Sequence, residues 1–337
     1  MTDISLPALR SDDPLGFLAA LGVVELSSSA LNLATRLRWD GLGGEAILEA
    51  DVENLDDLAG RLAVVAQDLS GSDRLAPAGD THLIEPPLND ADRKRRAEAS
   101  GSKGVLDPMR MSREEVLARF AVTQQAELSD DAGTARWTSG LVNQLGQEQN
   151  DPRCDLTPLY ARTGRQNLHQ LYRDYLLAVS GHPSLLREAL AGWRRVAGDS
   201  GANLDHRALR DAVLATNGKP SNAAVPGATW LALMAVPWFR LSGSGLRPSA
   251  TGWLSTRPGG RPRALVWPVW RQPLEPEAIE VLLSHPLVGA AARRSLESSD
   301  ASLLAALGVD AVMWAVRRTL GNSDGPLGPG EVRWTAP

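Results

Sequence analysis

TGWLSTRPGGRPRALVWPVW, residues 251–270, sets Trp253, Trp267 and Trp270 beside Arg257, Arg261 and Arg263, with no acidic residue among them. Its second half, RALVWPVW, alternates as a buried strand does. Large aromatic side chains dominate cores, so the three tryptophans are read as core rather than as stacking platforms for bases. STRPGGRPR reads differently. Its Gly and Pro place it on a solvent-exposed turn, where arginines suit contact with an anion better than idle surface. The stretch thus divides into an apolar strand and a cationic loop.

The setting sharpens that division. Residues 212–274 hold seven basic residues, five tryptophans and no carboxylate, whereas residues 1–92 carry 5 Lys/Arg against 17 Asp/Glu, a net of -12. The remainder, 30 basic against 23 acidic, is +7, so the whole-chain charge of -5 conceals two opposed regions. A solvated surface ordinarily mixes both signs, and 63 residues without an acid point to an anionic partner.

Upstream, Asp13 and Pro14 form a helix start, an N-cap followed by a proline whose missing N–H costs nothing at N1, and Phe17, Leu18, Leu21 and Val24 continue it as an apolar stripe. RLRWDGLGGEAILEA, residues 36–50, reads as a β-hairpin around a Gly-rich turn. A second helix starts at Asn54 with Leu55, Leu58, Leu62, Val65 and Leu69 on one face. From residue 70 to 103 Pro, Gly and charge without periodicity predict a long loop containing the run Arg93, Lys94, Arg95, Arg96. Helical signals then dominate to about residue 216. The best is TGRQNLHQLYRDYLLAVSG, with Thr163 and Gln166 as a capping box and Gly181 as its end, leaving Arg165 and Arg173 on or near the polar side. An apolar helix around TWLALMAV, short extended pieces, helices at 275–284 and 300–307, and strands at VDAVMWAVRRT and EVRWT complete the chain. The fold class is α+β: an acidic N-terminal unit over 1–69, a basic Pro/Gly-rich linker over 70–104, and a larger, mainly helical domain with short strands over 105–337.

Signatures of chemistry are sparse. The five histidines (His82, His169, His182, His206, His285) have no partner at metal-ligand spacing, so no metal and no cofactor is expected. Cys154 is the single cysteine and lies in no nucleophile signature, so it reads as a structural thiol of a reducing, cytoplasmic compartment. GLGGEA, 41–46, satisfies G-x-G-x-x-A formally, but it sits in the hairpin and opens no helix that would hold a pyrophosphate. The paired carboxylates of the N-terminal block come with no readable base, metal or apolar enclosure. No span of roughly 18 apolar residues is present to cross a membrane, and the N-terminus has no signal-peptide pattern. Together these features give no support to an enzyme.

Several phrases occur together in an order that resembles subunits of type I CRISPR–Cas effector complexes, especially the type I-G large-subunit-like or accessory proteins: DPLGFLAALGVVEL, RLRWDG, TGRQNLHQLYRDYLLAV, WLALMAVPWF, GWLSTRP and VWPVWRQPL. The resemblance implies a non-catalytic part of an RNA-guided surveillance complex. Its partners would be guide RNA, target double-stranded DNA, the other backbone subunits and a helicase-nuclease, with a short duplex motif (the PAM) checked by protein. On that reading Arg93, Lys94, Arg95, Arg96 and Lys103 contact phosphates from the linker, and Arg257, Arg261 and Arg263 form a second contact loop. Arg165, Arg173, Lys219 and Arg271 are further backbone contacts. Asn143 and Gln144 in TSGLVNQLGQ are candidates for base edges, against the plainer reading of a capped polar helix face. A protein–protein scaffold, whose arginines answer acidic neighbours, and an enzyme with a dispersed site are the alternatives.

Overall fold

The computed structural model describes residues 1–72, 74–77, 111–127, 132–147, 154–161, 168–208, 213–214, 220–244, 247–257, 260–320 and 323–337. The fold is α+β, and its strands pair antiparallel throughout the described residues. It opens with a strand that hydropathy did not announce, β1 (Thr2–Arg10), whose alternating burial puts Ile4, Leu6 and Leu9 inward. Pro7 lacks an N–H, which an edge strand tolerates. β1 flanks β3 (Glu45–Ala50), and β2 (Arg36–Trp39) flanks β3 on its other side.

The β2–β3 hairpin forms where the sequence places it. Gly41 and Gly43 take φ of +74° and +69°, and a Cβ on Gly44 would stand 1.9 Å from the Asp40 carbonyl oxygen. The glycines therefore serve a tight turn and not a phosphate.

Between β1 and β2 runs α1 (Pro14–Ser29), capped by Asp13 Oδ1 accepting from the N–H groups of Leu15 and Gly16 at 2.8 and 3.2 Å. The apolar stripe expected of it is incomplete as a description, since every residue from Pro14 to Ser27 is buried. A helix apolar on all sides belongs in the centre of a core. It packs against α7 (Pro226–Leu233), itself wholly buried. The two backbones approach closely, for a Cβ on Gly22 would lie 1.8 Å from the Leu231 carbonyl oxygen. Glu25, buried within α1, is answered by Arg136 at 3.2 Å.

Around this pair lie α2 (Leu55–Gly71), which Asn54 caps, α3 (Arg113–Glu127), α4 (Ala132–Leu141), α5 (Leu168–Gly181) and α6 (Ser184–Ala191). One expectation for the helical region fails. VNQLGQ is not helical but strand β4 (Val142–Gln147), paired with β5 (Cys154–Leu156). Two further short ladders follow, β6 (Val196–Ala197) with β9 (Ala223–Ala224) and β7 (Val213–Leu214) with β8 (Pro220–Ser221).

The second half builds the larger sheet in the order β10 (Leu241–Ser244), β11 (Arg247–Ala250), β12 (Trp253–Ser255), β13 (Pro262–Trp270), β14 (Val309–Leu320), β15 (Ser323–Leu327), with β16 (Glu331–Thr335) also on β14. Helices α8 (Pro276–Ser284), α9 (Pro286–Ala292) and α10 (Ser298–Ala306) connect β13 to β14.

β13 joins the two halves of the molecule. Trp267 and Trp270 are fully buried, and their indole N–H groups donate to the carbonyls of Ser11 and Leu37, each at 2.8 Å. Phe17 of α1 stacks on Trp267 at 5.4 Å between centroids. Leu37 and Leu274 exchange two backbone hydrogen bonds at 2.9 and 3.0 Å, so the small sheet is stitched to the segment that follows β13. The apolar core accordingly runs without a break from Ile4 to Leu327. The acidic first 69 residues differ from the rest in composition, but their interior is shared with it.

Candidate nucleic-acid interface

Arg93, Lys94, Arg95, Arg96, Lys103, Arg165 and Lys219 lie outside the described residues, as do Thr163 and Gln166. All three lysines of the chain are among these, so every cation of the described structure beyond the N-terminus and the histidines is an arginine.

Arg263 near the start of β13 and Arg261 immediately before the strand, two residues apart, both line one side of it. Position 263 stands opposite 317 by continuation of the register of Ala264 with Val316, so Arg317 of β14 shares that face. Arg261 bonds Asp155 of β5, and Arg263 bonds Asp324 of β15 at 2.9 Å. Together with Leu156, Thr157, Pro158, Tyr160, Pro248 and Ser249 these residues line a cleft of about 60 Å³.

Arg317 forms its floor. The residue is only 4% exposed, yet one terminal nitrogen donates to the carbonyls of Asn203 and Gly325 and the other to those of Pro158 and Leu159, at 2.9–3.2 Å. Its guanidinium also lies 5.8 Å from the centroid of the Trp253 ring. Burial pushes its pKa down to about 10, opposed by Asp324 and reinforced by Arg263. It therefore stays a cation at neutral pH.

Beyond the cleft, Arg257 sits in the turn leading into β13 and Arg318 at the matching end of β14. Both are exposed, and neither has an ion-pair partner among the described residues. Among the described residues, the cleft's face thus carries the guanidinium groups of Arg261, Arg263 and Arg317 against the carboxylates of Asp155 and Asp324, with Arg257 in the adjoining turn and Arg318, by strand alternation, on the opposite face of the same sheet end.

The other expected residues are scattered. Arg271 stands at the opposite end of β13, paired with Asp310 at 2.5 Å. Arg240 pairs with Glu280. Arg173 lies half-buried on α5 and does not line the cleft. Asn143 is brought near it, because the β4–β5 register sets it opposite Asp155. Its side chain is buried, however, and accepts from the Leu145 N–H at 2.9 Å, a local turn rather than a base-reading group. Gln144 is half-buried with its Oε1 unpartnered among the described residues. The polar helix face offered as the plainer reading of both is corrected to a strand. Trp253, Trp267 and Trp270 are at most 2% exposed, hence core.

Sequence reasoning missed Arg317, Asp155 and Asp324. For Arg317 a signal existed: in AVMWAVR, residues 311–317, the inward positions Ala311, Met313 and Ala315 lead directly to an arginine. Nothing comparable marks the two aspartates.

Elsewhere several buried polar groups pair within the fold. Asp205 receives two bonds from Arg195, at 2.6 and 3.3 Å, and Tyr175 donates to Asp199 at 2.5 Å. His206 Nδ1 lies 3.6 Å from Asp13 Oδ2. Burial raises the Asp13 carboxyl and lowers the His206 imidazole from their ordinary values. Cys154 is buried, which pushes its thiol up, unlike a nucleophile. Among the described residues no group of three or more His, Cys, Asp or Glu side chains is placed to hold a metal ion, and no helix is long and apolar enough to cross a membrane. No protein-family model matches the chain, and no curated protein is significantly similar to it in sequence.

Proposed function

We propose that the chain is a non-catalytic, nucleic-acid-binding subunit of an RNA-guided type I CRISPR interference complex, contacting the phosphate backbone through the arginine end of β13 and β14. The observation that supports this reading is the excess of guanidinium over carboxylate there among the described residues, in which Arg257 and Arg318 are exposed and have no ion-pair partner. Guanidinium groups suit phosphate because their planar donors engage two oxygens at once. Checking of a short duplex motif and recruitment of the helicase-nuclease belong to the same proposal and draw only on the sequence resemblance.

Binding of labelled duplex and single-stranded oligonucleotides across salt tests it. Affinity should fall steeply between about 50 and 200 mM salt, and Arg257→Ala or Arg318→Ala should each flatten the log–log slope by about one unit. Arg271→Ala, which removes an internally paired cation from the far end of β13, should leave the slope unchanged. A flat slope for the wild-type chain, or absent binding, sinks the reading.

A protein–protein scaffold is favoured by a different observation. Arg240, Arg261, Arg263 and Arg271, four of the seven cations in the acid-free region, are each matched by a carboxylate of the chain itself. Under that reading the arginines fasten the sheet to its surroundings, and no substitution among them changes affinity for nucleic acid.

A further inference from the structure

The ion pairs that favour the scaffold also have a second reading. A carboxylate and a phosphate present the same thing to a guanidinium: a pair of anionic oxygens at hydrogen-bond distance. We propose that Asp155 and Asp324 are internal stand-ins for phosphate, held by Arg261 and Arg263 in the free protein and displaced when a nucleic-acid backbone enters the cleft. This rests on the nucleic-acid-binding function above and specifies how that site is regulated.

Three features of the cleft carry the proposal. The mobile and the fixed partners are distinguishable, since the Arg261 and Arg263 side chains are 40% and 32% exposed whereas those of Asp155 and Asp324 are 6% and 23% exposed. The arginines are therefore the partners able to swing outward, exchanging one anion for another without a stage in which the guanidinium is unpaired. Next, a volume of about 60 Å³ suits a small oxyanion, while pockets for drug-sized ligands start at roughly 300 Å³. Finally, Arg317 supplies a positive charge that cannot move away. Its hydrogen bonds go to backbone carbonyls of four residues, so the floor of the cleft remains cationic whichever anion lies above.

Displacement makes the site selective. A lone phosphate has to compete with carboxylates tethered beside the arginines, and so binds weakly. A polyanion first held by Arg257, in the turn that leads to the cleft, delivers its next phosphates at high effective concentration, and so competes well.

The experiment uses the full-length chain with Asp155→Asn or Asp324→Asn, titrated with the same oligonucleotides. Asp310→Asn, which frees Arg271 at the other end of β13, controls for the loss of one negative charge. Asp155→Asn should tighten binding at low salt by about fivefold, the scale of one partly exposed ion pair, and steepen the salt slope by about one unit. Asp310→Asn should change neither. Melting temperature verifies folding, and if Asp155→Asn does not fold, Asp324→Asn, with the more exposed carboxylate, decides the matter at Arg263. Inorganic phosphate, added at constant ionic strength, should compete poorly with oligonucleotide on the wild-type chain. Its competing as well as an oligonucleotide would show a free-phosphate site and overturn the proposal. Equal effects of Asp155→Asn and Asp310→Asn, or no effect of either, overturn displacement while leaving the function standing if Arg257→Ala still weakens binding. No binding by the wild-type chain or by any variant overturns both.

Discussion

Arg317 shows how much one buried side chain can organise. It ties β14 to the loop at Pro158 and Leu159, to Asn203 and to Gly325 of β15, so its loss strands four carbonyls at once. Arg317→Ala is expected to cost about 3–5 kcal/mol in urea denaturation, and Arg317→Lys less, because an ammonium keeps the charge but reaches fewer acceptors. A second residue-level prediction concerns pH. His206 titrates below 6.5 in the folded chain because burial disfavours its cation. The unfolded state therefore binds the proton more readily just below pH 6.5, and stability rises with pH through that interval. Asp13 works in the opposite sense at lower pH: its raised carboxyl takes up a proton in the folded state first, so stability falls as pH rises from 3.8 to its folded value. His206→Gln should flatten the melting-temperature profile immediately below pH 6.5, and an unchanged profile would refute the assignment. At this scale the sequence made Arg257, Arg261 and Arg263 conspicuous through the missing acids around them. It hid their partners, because Asp155 and Asp324 come from other strands and pairing across a fold leaves no mark in one sequence.

Among the elements, α1 and β13 are decisive for opposite reasons. α1 is buried on every side, and its contact with α7 depends on the absence of a side chain at Gly22. Gly22→Ala would force a methyl group to within 1.8 Å of the Leu231 carbonyl oxygen. Separation of the helices should cost about 1–3 kcal/mol or more, as overpacking does, read as a lowered denaturation midpoint. β13 depends on what it has instead of what it lacks. Trp267→Phe keeps an aromatic ring against Phe17 but orphans the Ser11 carbonyl, an expected loss of about 1–3 kcal/mol. Both elements were legible, α1 from its cap and apolar run and β13 from its alternation. β1 was not, because its alternating residues are interrupted by Pro7, which only an edge position excuses. VNQLGQ read as helix for a related reason: its strand state is conferred by pairing with Cys154–Leu156, a tertiary partner that local propensity does not see.

At the scale of the whole molecule, the continuous core predicts one cooperative unfolding transition in calorimetry and no independent folding of residues 1–72. That segment's strands and helix bury their faces against Trp267, Trp270 and α7. Two transitions, or a folded fragment, would show that the compositional boundary near residue 70 is a structural one as well. The charge asymmetry follows the same pattern. The -12 of the first 92 residues is partly offset by pairs with cations from outside them, Arg136–Glu25 and Arg187–Asp56, and the acid-free region is partly neutralised by carboxylates from outside it. Charge segregated along the chain is thus partly re-mixed in space, even at the arginine end of β13 and β14, where Asp155 and Asp324 answer Arg261 and Arg263. β13 is also a stiff strand clamped at its far end by two buried indoles. Its start therefore roots Arg263, and Arg261 just before it, about 7 Å apart along the backbone. Rooted that close, the two guanidinium groups can meet neighbouring charges of one polyanion while each side chain turns to the spacing it finds. The strand sets where the two arginines are anchored and leaves their reach adjustable.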